Sequence, residues 1–318
     1  MKIDLSGNTK IATRDTYGNT LVEIGKEHPE LVVLDADLAG ATKTGTFKKA
    51  FPERHIDCGI AEADMMGIAG GLASCGKIPF ASTFAMFAAG RAYEQVRNTI
   101  AHSKLNVKVA ATHAGISVGE DGATHQCVED LALMRVIPGM VVLSPADDVE
   151  ARAAIWAAFQ YEGPVYIRLG RLAVPVIYDA EDYKFEIGKG IVAREGKDLT
   201  IIATGLEVYE ALMAAEKLAA DGIDAEVIDI HTIKPIDEEL IVKSAQKTGK
   251  VVTVEEHSLI GGLYGAVCET LAKNAPTKVL GIGVNDCYGH SGAAKELLKE
   301  FGLDAEGIYK KIKEDMNK

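Results

Sequence analysis

Runs of β-branched and aliphatic residues alternate with helical runs along almost all of the 318 residues of this chain. In the first half, predicted strands cover residues 31–34, 78–81, 107–111, 141–144 and 165–169. They alternate with predicted helices over residues 13–28, 62–74, 88–103, 129–136 and 147–161. Strands separated by helices of this length favour a parallel sheet with helices on both faces. The sequence therefore predicts an α/β fold with a mostly parallel sheet.

One interruption of this alternation divides the chain in two. Residues 172–190, which include Pro175, Tyr178 and Gly188, show no helical period, and we interpret them as an ordered linker. The alternation then resumes, with strands over 199–203, 225–230, 251–255 and 278–283, and helices over 207–220, 237–248, 261–274, 293–301 and 305–316. We therefore predict a first domain over residues 8–171 and a smaller α/β domain over residues 191–318.

The charge balance and the cysteines limit the possible functions. The chain has 34 basic and 46 acidic residues, a net charge of −12, and no basic stripe, which argues against nucleic-acid binding. Its 5 cysteines show no Cys-x-x-Cys pairing, as expected of free thiols in a reducing compartment. The N-terminal residues lack the apolar core of a signal peptide, and no apolar run approaches the roughly 20 residues that span a bilayer. We therefore expect a cytoplasmic protein without a membrane segment.

One acid, Glu62, stands at the start of a predicted helix that is otherwise small and apolar. Gly67, Gly70 and Gly71 lie inside this helix, where each costs roughly 1 kcal/mol relative to alanine. A helix that contains such residues usually needs close approach to another backbone or to a flat ligand. A carboxylate beside it is a candidate for proton transfer, although an acid in this position is also favoured by the helix dipole alone.

Polar side chains follow several predicted strands at the edge where the carboxyl ends of the strands meet. Functional groups of open α/β sheets gather at this edge. Here it would hold carboxylates, imidazoles and guanidinium groups from Asp35, Asp37, His113, the loop 115–126, Arg168 and Arg171. Such a set suits an anionic, hydroxyl-rich substrate, because guanidinium groups bind phosphate and imidazoles transfer protons near neutral pH.

Each of these residues also has a simpler structural interpretation. Asp35 and Asp37 could cap the next element, a single histidine could be hydrogen-bonded within a loop, and Arg171 could form a surface ion pair. Two phenylalanines three residues apart, Phe84 and Phe87, more often belong to a core. The functional hypothesis therefore depends on the occurrence of all these residues together and in order.

Four motifs, taken in this order, resemble those of one family. They are Asp57-Cys58-Gly59-Ile60-Ala61-Glu62, Ser82-Thr83-Phe84-Ala85-Met86-Phe87, Thr112-His113 and Gly119-Glu120-Asp121-Gly122-Ala123-Thr124-His125-Gln126. With them the first half of the chain resembles the pyrimidine-binding domain of transketolase, and the second half resembles its C-terminal domain. The resemblance covers nearly the whole chain and implies the thiamine-diphosphate-binding fold of that family.

The resemblance implies a role for each matching residue. Glu62 would hydrogen-bond to N1′ of the aminopyrimidine of thiamine diphosphate and so promote removal of the proton from C2 of the cofactor. Phe84 and Phe87 would line the pocket of the pyrimidine ring, and Asp37 would lie near the cofactor at a subunit interface. His125 would transfer protons. The hydroxyls and phosphate of the substrate would be bound by Asp121, His125, His113, Arg14 and Arg171.

Two departures from the family pattern change what the resemblance implies. Many transketolases carry a tyrosine where this chain has Gly90, so we expect a different closure of the pyrimidine pocket. The Gly-Asp-Gly motif, through which the family binds Mg²⁺, does not occur in the sequence. The resemblance therefore implies the C-terminal subunit of a split transketolase, whose N-terminal partner subunit holds Mg²⁺ and the diphosphate. We expect a dimer of such heterodimers that transfers a two-carbon ketol group between sugar phosphates, as in the pentose phosphate pathway.

Two other functions stay open at this point. Deoxyxylulose-phosphate synthase and the beta subunits of 2-oxoacid dehydrogenases share the architecture, and the first carries a loop similar to Asp121-Gly122-Ala123-Thr124-His125-Gln126. A regulatory binding module that retains the fold is the non-enzymatic alternative. Thr112-His113 and the spacing of Phe84 and Phe87 favour transketolase over the first alternative. The presence of Glu62 together with the histidines argues against the second.

Overall fold

Two mostly parallel sheets and one small two-stranded sheet make up the computed structural model, which describes residues 2–317. The strands are β1 (Lys10–Ala12), β2 (Leu31–Asp35), β3 (His55–Asp57), β4 (Ile78–Phe84), β5 (Lys108–Thr112), β6 (Val141–Leu143), β7 (Val165–Arg168), β8 (Ala173–Pro175), β9 (Ile191–Arg194), β10 (Leu199–Ala203), β11 (Ala225–Asp229), β12 (Thr232–Lys234), β13 (Val251–Ser258) and β14 (Val279–Val284). The α-helices are α1 (Thr13–Glu27), α2 (Ala39–Thr42), α3 (Thr44–Ala50), α4 (Glu62–Ser74), α5 (Tyr93–Gln95), α6 (Asp130–Arg135), α7 (Asp148–Gln160), α8 (Glu207–Ala220), α9 (Glu238–Thr248), α10 (Leu263–Asn274), α11 (Ala294–Glu300) and α12 (Ala305–Met316). Short 3₁₀ turns cover Pro52–Arg54 and Ile116–Asp121, and π-helical turns cover Met86–Arg91 and Val96–His102.

Each large sheet is parallel except for one edge strand. The first sheet has the order β12-β6-β7-β5-β4-β2-β3, and only β12 runs antiparallel to its neighbour. The second has the order β14-β13-β10-β11-β9, and only β9 is antiparallel. Helices cover both sheets, as parallel strands require. The predicted α/β fold with two domains and mostly parallel sheets is therefore confirmed.

The central strands are buried on both faces, which explains their nearly continuous apolar sequences. Every residue of β2, β5, β7 and β10 is buried. On one face of the first sheet, Tyr17, Leu21 and Phe47 of α1 and α3 form a core with side chains of α7. On the other face, α4 and the segment 86–101 pack on the sheet. No helix within residues 2–317 is both long and apolar enough to cross a bilayer.

The register of the first sheet brings the ends of its strands to one edge. Phe84, the last residue of β4, lies opposite Thr112, the last residue of β5. Arg168, the last residue of β7, lies opposite Ala111. The motifs that follow these strands therefore meet at the carboxyl edge of the sheet, where open α/β folds bind ligands.

The structure differs from the sequence-based prediction in two kinds of element. The single helix predicted over residues 88–103 is wrong in form, because two π-helical turns flank the short helix α5. Helices α2 and α3 and strands β1, β3, β8, β9 and β12 were not predicted, and these strands have only three or four residues, too few to show a period. Of these, β12 extends the first sheet although it follows β11 of the second domain in the chain.

Buried polar groups tie the linker to both domains. The backbone N–H groups of Ile177 and Tyr178 donate to Oδ2 of Asp147 at 2.8 and 2.9 Å. The hydroxyl of Tyr178 donates to Asp229 at 2.6 Å, and the hydroxyl of Tyr183 donates to Glu150. We call these five side chains the junction cluster: Asp147, Glu150, Tyr178, Tyr183 and Asp229.

Candidate active site

Glu62 is the first residue of α4, and its side chain is almost fully buried, with 1% of its surface exposed. Both of its carboxylate oxygens accept hydrogen bonds from Nη1 of Arg91, each at 2.9 Å. The arginine is 52% exposed, so the pair joins a buried acid to a side chain that reaches solvent. Buried carboxylates require such a partner, because an unpaired charge in the interior is strongly unfavourable.

Phe84 and Phe87 form an aromatic wall next to this acid. Phe84 ends β4 and Phe87 lies in the first π-helical turn, and their rings stack with centroids 5.8 Å apart and an interplanar angle of 17°. Cζ of Arg91 lies 4.5 Å from the centroid of the Phe87 ring. Stacked rings beside a carboxylate form a surface that fits a flat heteroaromatic ring carrying hydrogen-bonding nitrogens.

His113 extends the wall towards Arg14. Its ring stacks on Phe84 with centroids 3.8 Å apart, and its Nε2 lies 3.1 Å from Nη1 of Arg14. A guanidinium can only donate, so Nε2 accepts, and the ring proton lies on Nδ1, which donates to Oγ1 of Thr112 at 2.9 Å. Burial, together with the nearby charges of Arg14 and Arg171, lowers the pKa of His113 to about 3. His113 is therefore a neutral hydrogen-bonding group at physiological pH.

His125 reaches the same wall from the loop that follows β5. Its ring meets Phe87 edge-on with centroids 5.4 Å apart, and Phe84 at 6.1 Å. The loop needs glycine at Gly119, whose φ of 83° is unfavourable for other residues. The side-chain amide of Gln126 stabilises the loop by donating to the carbonyls of Ile116, Gly119 and His290. The His290 carbonyl belongs to the second domain, so both domains position His125.

These contacts form one continuous array along the carboxyl edge of the first sheet. It begins at a buried acid, continues over two aromatic rings and two imidazoles, and ends at a guanidinium. We call it the rim cluster, and it consists of Arg14, Glu62, Phe84, Phe87, Arg91, His113 and His125.

Three other predicted site residues lie outside these contacts. Arg171 donates to Oε2 of Glu120 at 2.9 Å, and its charge also lowers the pKa of His113, so it lies beside the rim cluster. Asp121 is the last residue of the turn Ile116–Asp121 and is exposed. Asp37 is exposed, with a φ of 60°. Within residues 2–317, neither aspartate side chain hydrogen-bonds to a member of the rim cluster, and their roles stay predictions.

Asp35 has a structural role, in agreement with the simpler interpretation that it fixes the element after β2. It is buried, and its Oδ2 accepts hydrogen bonds from the hydroxyls of Thr42 and Thr44 at 2.6 and 2.8 Å. Oδ1 accepts from the backbone N–H of Leu38. Asp35 therefore fixes the segment of α2 and α3 that follows β2, and Asp37 lies on this segment.

Sequence reasoning missed two cations of the site, Arg91 and Lys43. Arg91 lies four residues after Phe87, a spacing that indicates a shared helix face, but none of the four motifs includes it. Lys43 has a φ of 70°, pairs with Asp15 at 2.9 Å and contributes to the lowered pKa of His113. No motif in the sequence marks Lys43.

The residues present fit one part of thiamine diphosphate. Glu62 and the stacked rings suit an aminopyrimidine, which needs a carboxylate partner and an apolar wall. The metal-bound diphosphate has no such counterpart in this chain. Within residues 2–317, no three histidine, cysteine or acidic side chains stand close enough together to hold a metal ion.

Comparisons with known proteins identify two domains. Residues 9–176 match the family "Transketolase, pyrimidine binding domain", and residues 188–308 match "Transketolase, C-terminal domain". A Methanocaldococcus jannaschii protein named "putative transketolase C-terminal section" is 55% identical over 318 residues, which cover 99% of each chain. A 6-deoxy-6-sulfo-D-fructose transketolase subunit of a Clostridium species is 46% identical over 93% of this chain and 92% of its own length.

A solved structure and a longer relative give the same result. A split gene transketolase, described as an inactive beta4 tetramer, is 53% identical and superimposes with a TM-score of 0.87 over 96% of this chain and 98% of its own. Human transketolase is 38% identical over 96% of this chain, but the match spans only 49% of the human protein. The chain therefore belongs to the transketolase family and corresponds to its C-terminal section, as in the split transketolases.

Proposed function

We propose that this chain is the pyrimidine-binding subunit of a thiamine-diphosphate-dependent transketolase, which transfers a two-carbon ketol group between sugar phosphates. In this proposal it acts in the cytoplasm and only together with a separate diphosphate-binding subunit. The observation that carries the proposal is the continuous rim cluster, in which Arg91 links a buried acid to an aromatic wall, and two histidines and a second guanidinium follow.

When bound, thiamine diphosphate supplies a nucleophilic carbon and a cationic ring that accepts electrons. Glu62 would hold N1′ of the pyrimidine by a hydrogen bond from within the protein interior. Phe84 and Phe87 would orient the ring and exclude water from it. These three residues would therefore bind and activate the pyrimidine.

The substrate end of the site is cationic and rich in hydrogen-bonding groups. His113, neutral and held by Thr112, offers its ring to a substrate hydroxyl once Arg14 turns towards phosphate. His125, at the edge of the aromatic wall, accepts or donates a proton at a substrate oxygen. Arg14 and Arg171 bind the distal phosphate, because guanidinium groups form paired hydrogen bonds with phosphate oxygens.

The proposal assigns Mg²⁺ and the diphosphate to a partner subunit. The described part of the chain offers no group of metal-ligating side chains, and full-length relatives such as human transketolase are about twice as long as their match to this chain. The split gene transketolase of similar structure is described as an inactive tetramer, which supports a requirement for another subunit. We propose a dimer of heterodimers, with Asp37 and Asp121 completing the site near the subunit interface and the substrate.

Substrate choice is the finer part of the proposal. Relatives at 46% and 41% identity are named as transketolase subunits for 6-deoxy-6-sulfo-D-fructose and for apulose 4-phosphate. The cations Arg14, Lys43 and Arg171 lie together near His113 and favour a substrate with a terminal anionic group. We therefore propose sugar phosphates, as in the pentose phosphate pathway.

Reconstitution tests the proposal. This chain is mixed with the separately encoded subunit that carries the Gly-Asp-Gly motif, thiamine diphosphate and Mg²⁺, and xylulose 5-phosphate is compared with pyruvate as donor. We expect an aldose acceptor to be extended with xylulose 5-phosphate only when all components are present. Turnover of pyruvate instead would indicate the deoxyxylulose-phosphate synthase or 2-oxoacid dehydrogenase alternative. Cofactor binding without turnover of either donor would indicate a regulatory module.

A further inference from the structure

Arg91 contacts two of the groups that the proposed function assigns to the pyrimidine ring. Its Nη1 lies 2.9 Å from both oxygens of Glu62, and its Cζ lies 4.5 Å from the centroid of the Phe87 ring. One planar cation therefore engages a buried carboxylate and an aromatic face at the same time. An aminopyrimidine held by Glu62 against Phe87 needs the same two surfaces, so the guanidinium and the cofactor ring compete for them.

Of the two partners in this ion pair, Arg91 is the one that can move. It is 52% exposed, so its guanidinium regains water when it leaves the carboxylate. Glu62 is 1% exposed and begins a helix whose buried face packs against the sheet, so its displacement would disturb the core. Arginine also has a long, flexible stem that carries the charged group outward without a backbone change.

Gly90 precedes the arginine that covers the ring. A Cβ at position 90 would lie 2.3 Å from Cε of Met86, the flexible end of that side chain, which would have to shift to admit a larger residue. With no side chain at position 90, Arg91 lies over the exposed face of Phe87. Many transketolases carry a tyrosine at position 90. In this chain the neighbouring Arg91 covers the ring instead, and it also binds Glu62.

We propose that Arg91 gates the pyrimidine site and thereby sets the affinity of the enzyme for thiamine diphosphate. The guanidinium must leave Glu62 and Phe87 before the cofactor ring can occupy them. Arg91 is in this view a positioning residue that acts through Glu62. The inference rests on the proposed function and deepens it.

Cofactor binding to the assembled enzyme tests the gate. The complex with the diphosphate-binding subunit is titrated with thiamine diphosphate at fixed Mg²⁺, and the Kd is measured by calorimetry. We expect Arg91→Ala to lower the Kd about tenfold, the low end of what hydrogen bonds to a charged group are worth, because the arginine is half exposed. Arg97→Ala, at an exposed arginine further along the same segment, should leave the Kd unchanged.

Further variants separate gating from a structural role. Arg91→Lys keeps a cation without the planar group, and its Kd should lie between those of the wild type and Arg91→Ala. Arg91→Gln keeps a hydrogen-bond donor for Glu62 and should also bind thiamine diphosphate more tightly than the wild type does. This variant tests the gate if Arg91→Ala fails to fold. With Glu62→Gln in the background, the effect of Arg91→Ala should become smaller without vanishing, since the amide oxygen accepts a weaker hydrogen bond from the guanidinium than the carboxylate does and the contact with Phe87 remains.

The possible results are distinct. A wild-type complex that binds no thiamine diphosphate would overturn the proposed function. A wild-type complex that binds the cofactor while Arg91→Ala and Arg91→Gln bind it equally well or more weakly would overturn the gate alone. A tightening of the same size in the Glu62→Gln background would show that Arg91 does not act through Glu62.

Discussion

The rim cluster and the junction cluster both bury carboxylates, but they hold them in different ways. In the rim cluster, Glu62 depends on one half-exposed side chain, Arg91. In the junction cluster, backbone N–H groups of the linker donate to Asp147, the hydroxyl of the partly buried Tyr183 donates to Glu150, and the hydroxyl of the buried Tyr178 donates to Asp229. The partner of the first carboxylate can rotate into solvent, whereas the partners of the others are part of the packed interior.

Because of this difference, we expect the rim cluster to determine ligand binding and the junction cluster to determine stability. A ligand can replace Arg91 at Glu62, because the displaced guanidinium is hydrated as soon as it leaves. A group that displaced the linker from Asp147 would leave buried backbone N–H groups without partners. We therefore expect changes in the rim cluster to affect activity more than stability, and changes at the domain junction to do the opposite.

Glu62→Gln should give the largest effect on the rim side of this comparison. The amide oxygen still accepts from Arg91, but the group can no longer exchange a proton with the pyrimidine. Activity of the reconstituted enzyme should fall by about 10²–10⁴, the usual contribution of a positioned acid–base group. The free energy of unfolding of the chain, measured in urea, should change by less than about 1 kcal/mol.

A matched control for this prediction is Glu94→Gln, which removes the charge of an exposed acid on α5. It should leave both activity and stability near the wild-type values. Full activity in Glu62→Gln would contradict the role of Glu62, and a large loss of stability would contradict the separation of the two clusters.

Arg168→Met should give the largest loss of stability. Arg168 is buried at the domain junction, where its Nε donates to Asp130 at 2.9 Å and its Nη2 donates to the carbonyl of Glu256 at 2.8 Å. Removing one partner of a buried ion pair leaves an uncompensated charge and typically costs about 3–5 kcal/mol. Urea unfolding measures this loss directly.

Two comparisons check the cause of that loss. Arg152→Met removes an arginine of α7 that is paired with Glu23 on the surface, and it should cost less than about 1 kcal/mol. The double change Arg168→Met with Asp130→Leu should be less harmful than Arg168→Met alone, because the carboxylate that directly pairs with Arg168 is removed together with it. If the double variant loses as much stability as Arg168→Met alone, the loss comes from packing and not from the unpaired charge.

The junction cluster should also make stability depend on pH. Burial raises the pKa of Asp229 to about 7, and it raises the pKa of the neighbouring Glu150 as well. The folded chain therefore retains a proton that the unfolded chain releases near pH 4. The free energy of unfolding should fall as the pH rises from about 4 to about 7, by at most about 1.4 kcal/mol per pH unit for each proton.

Asp229→Asn should make this decline shallower, because one of the two titrating groups is removed. Unfolding in urea at pH 5, 6, 7 and 8 gives the slope for both proteins. Asp182→Asn, at an exposed acid of the linker, is the matched control and should keep the wild-type slope. An unchanged slope in Asp229→Asn would show that the proton is held elsewhere.

The periodic elements were predictable from sequence, and the shortest and most distorted ones were not. Strands such as β10, predicted over 199–203, are buried on both faces and therefore read as continuous apolar runs. Strands β1 and β12 have three residues each and owe their pairing to distant partners, β8 and β6. The π-helical turns of the segment 86–102 depend on tertiary packing, which no local pattern records.

The same limit applies to the candidate site. Glu62, the two phenylalanines and the two histidines follow from motifs, and the structure brings them into one array. Arg91 was missed because its direction depends on the π-helical turn that ends with it. Asp37 and Asp121 point to no partner in the rim cluster within residues 2–317, so their placement depends on groups beyond these contacts.

The smallest predicted effect concerns the helix that carries Glu62. A Cβ at Gly70 would lie 2.8 Å from Cγ2 of Thr99, so this glycine permits close packing within the chain. A Cβ at Gly71 would meet nothing within 4 Å, so this glycine lies on an open face. Gly71→Ala should therefore raise the free energy of unfolding by about 0.5–1 kcal/mol through helix propensity alone, whereas Gly70→Ala should lower it.

Urea unfolding at several protein concentrations measures both changes and distinguishes the free chain from an assembled one. If Gly71→Ala destabilises the protein, and does so more strongly at higher protein concentration, then another subunit packs on the face that carries Gly71. The helix that presents Glu62 to the rim cluster would in that case also form part of a subunit interface.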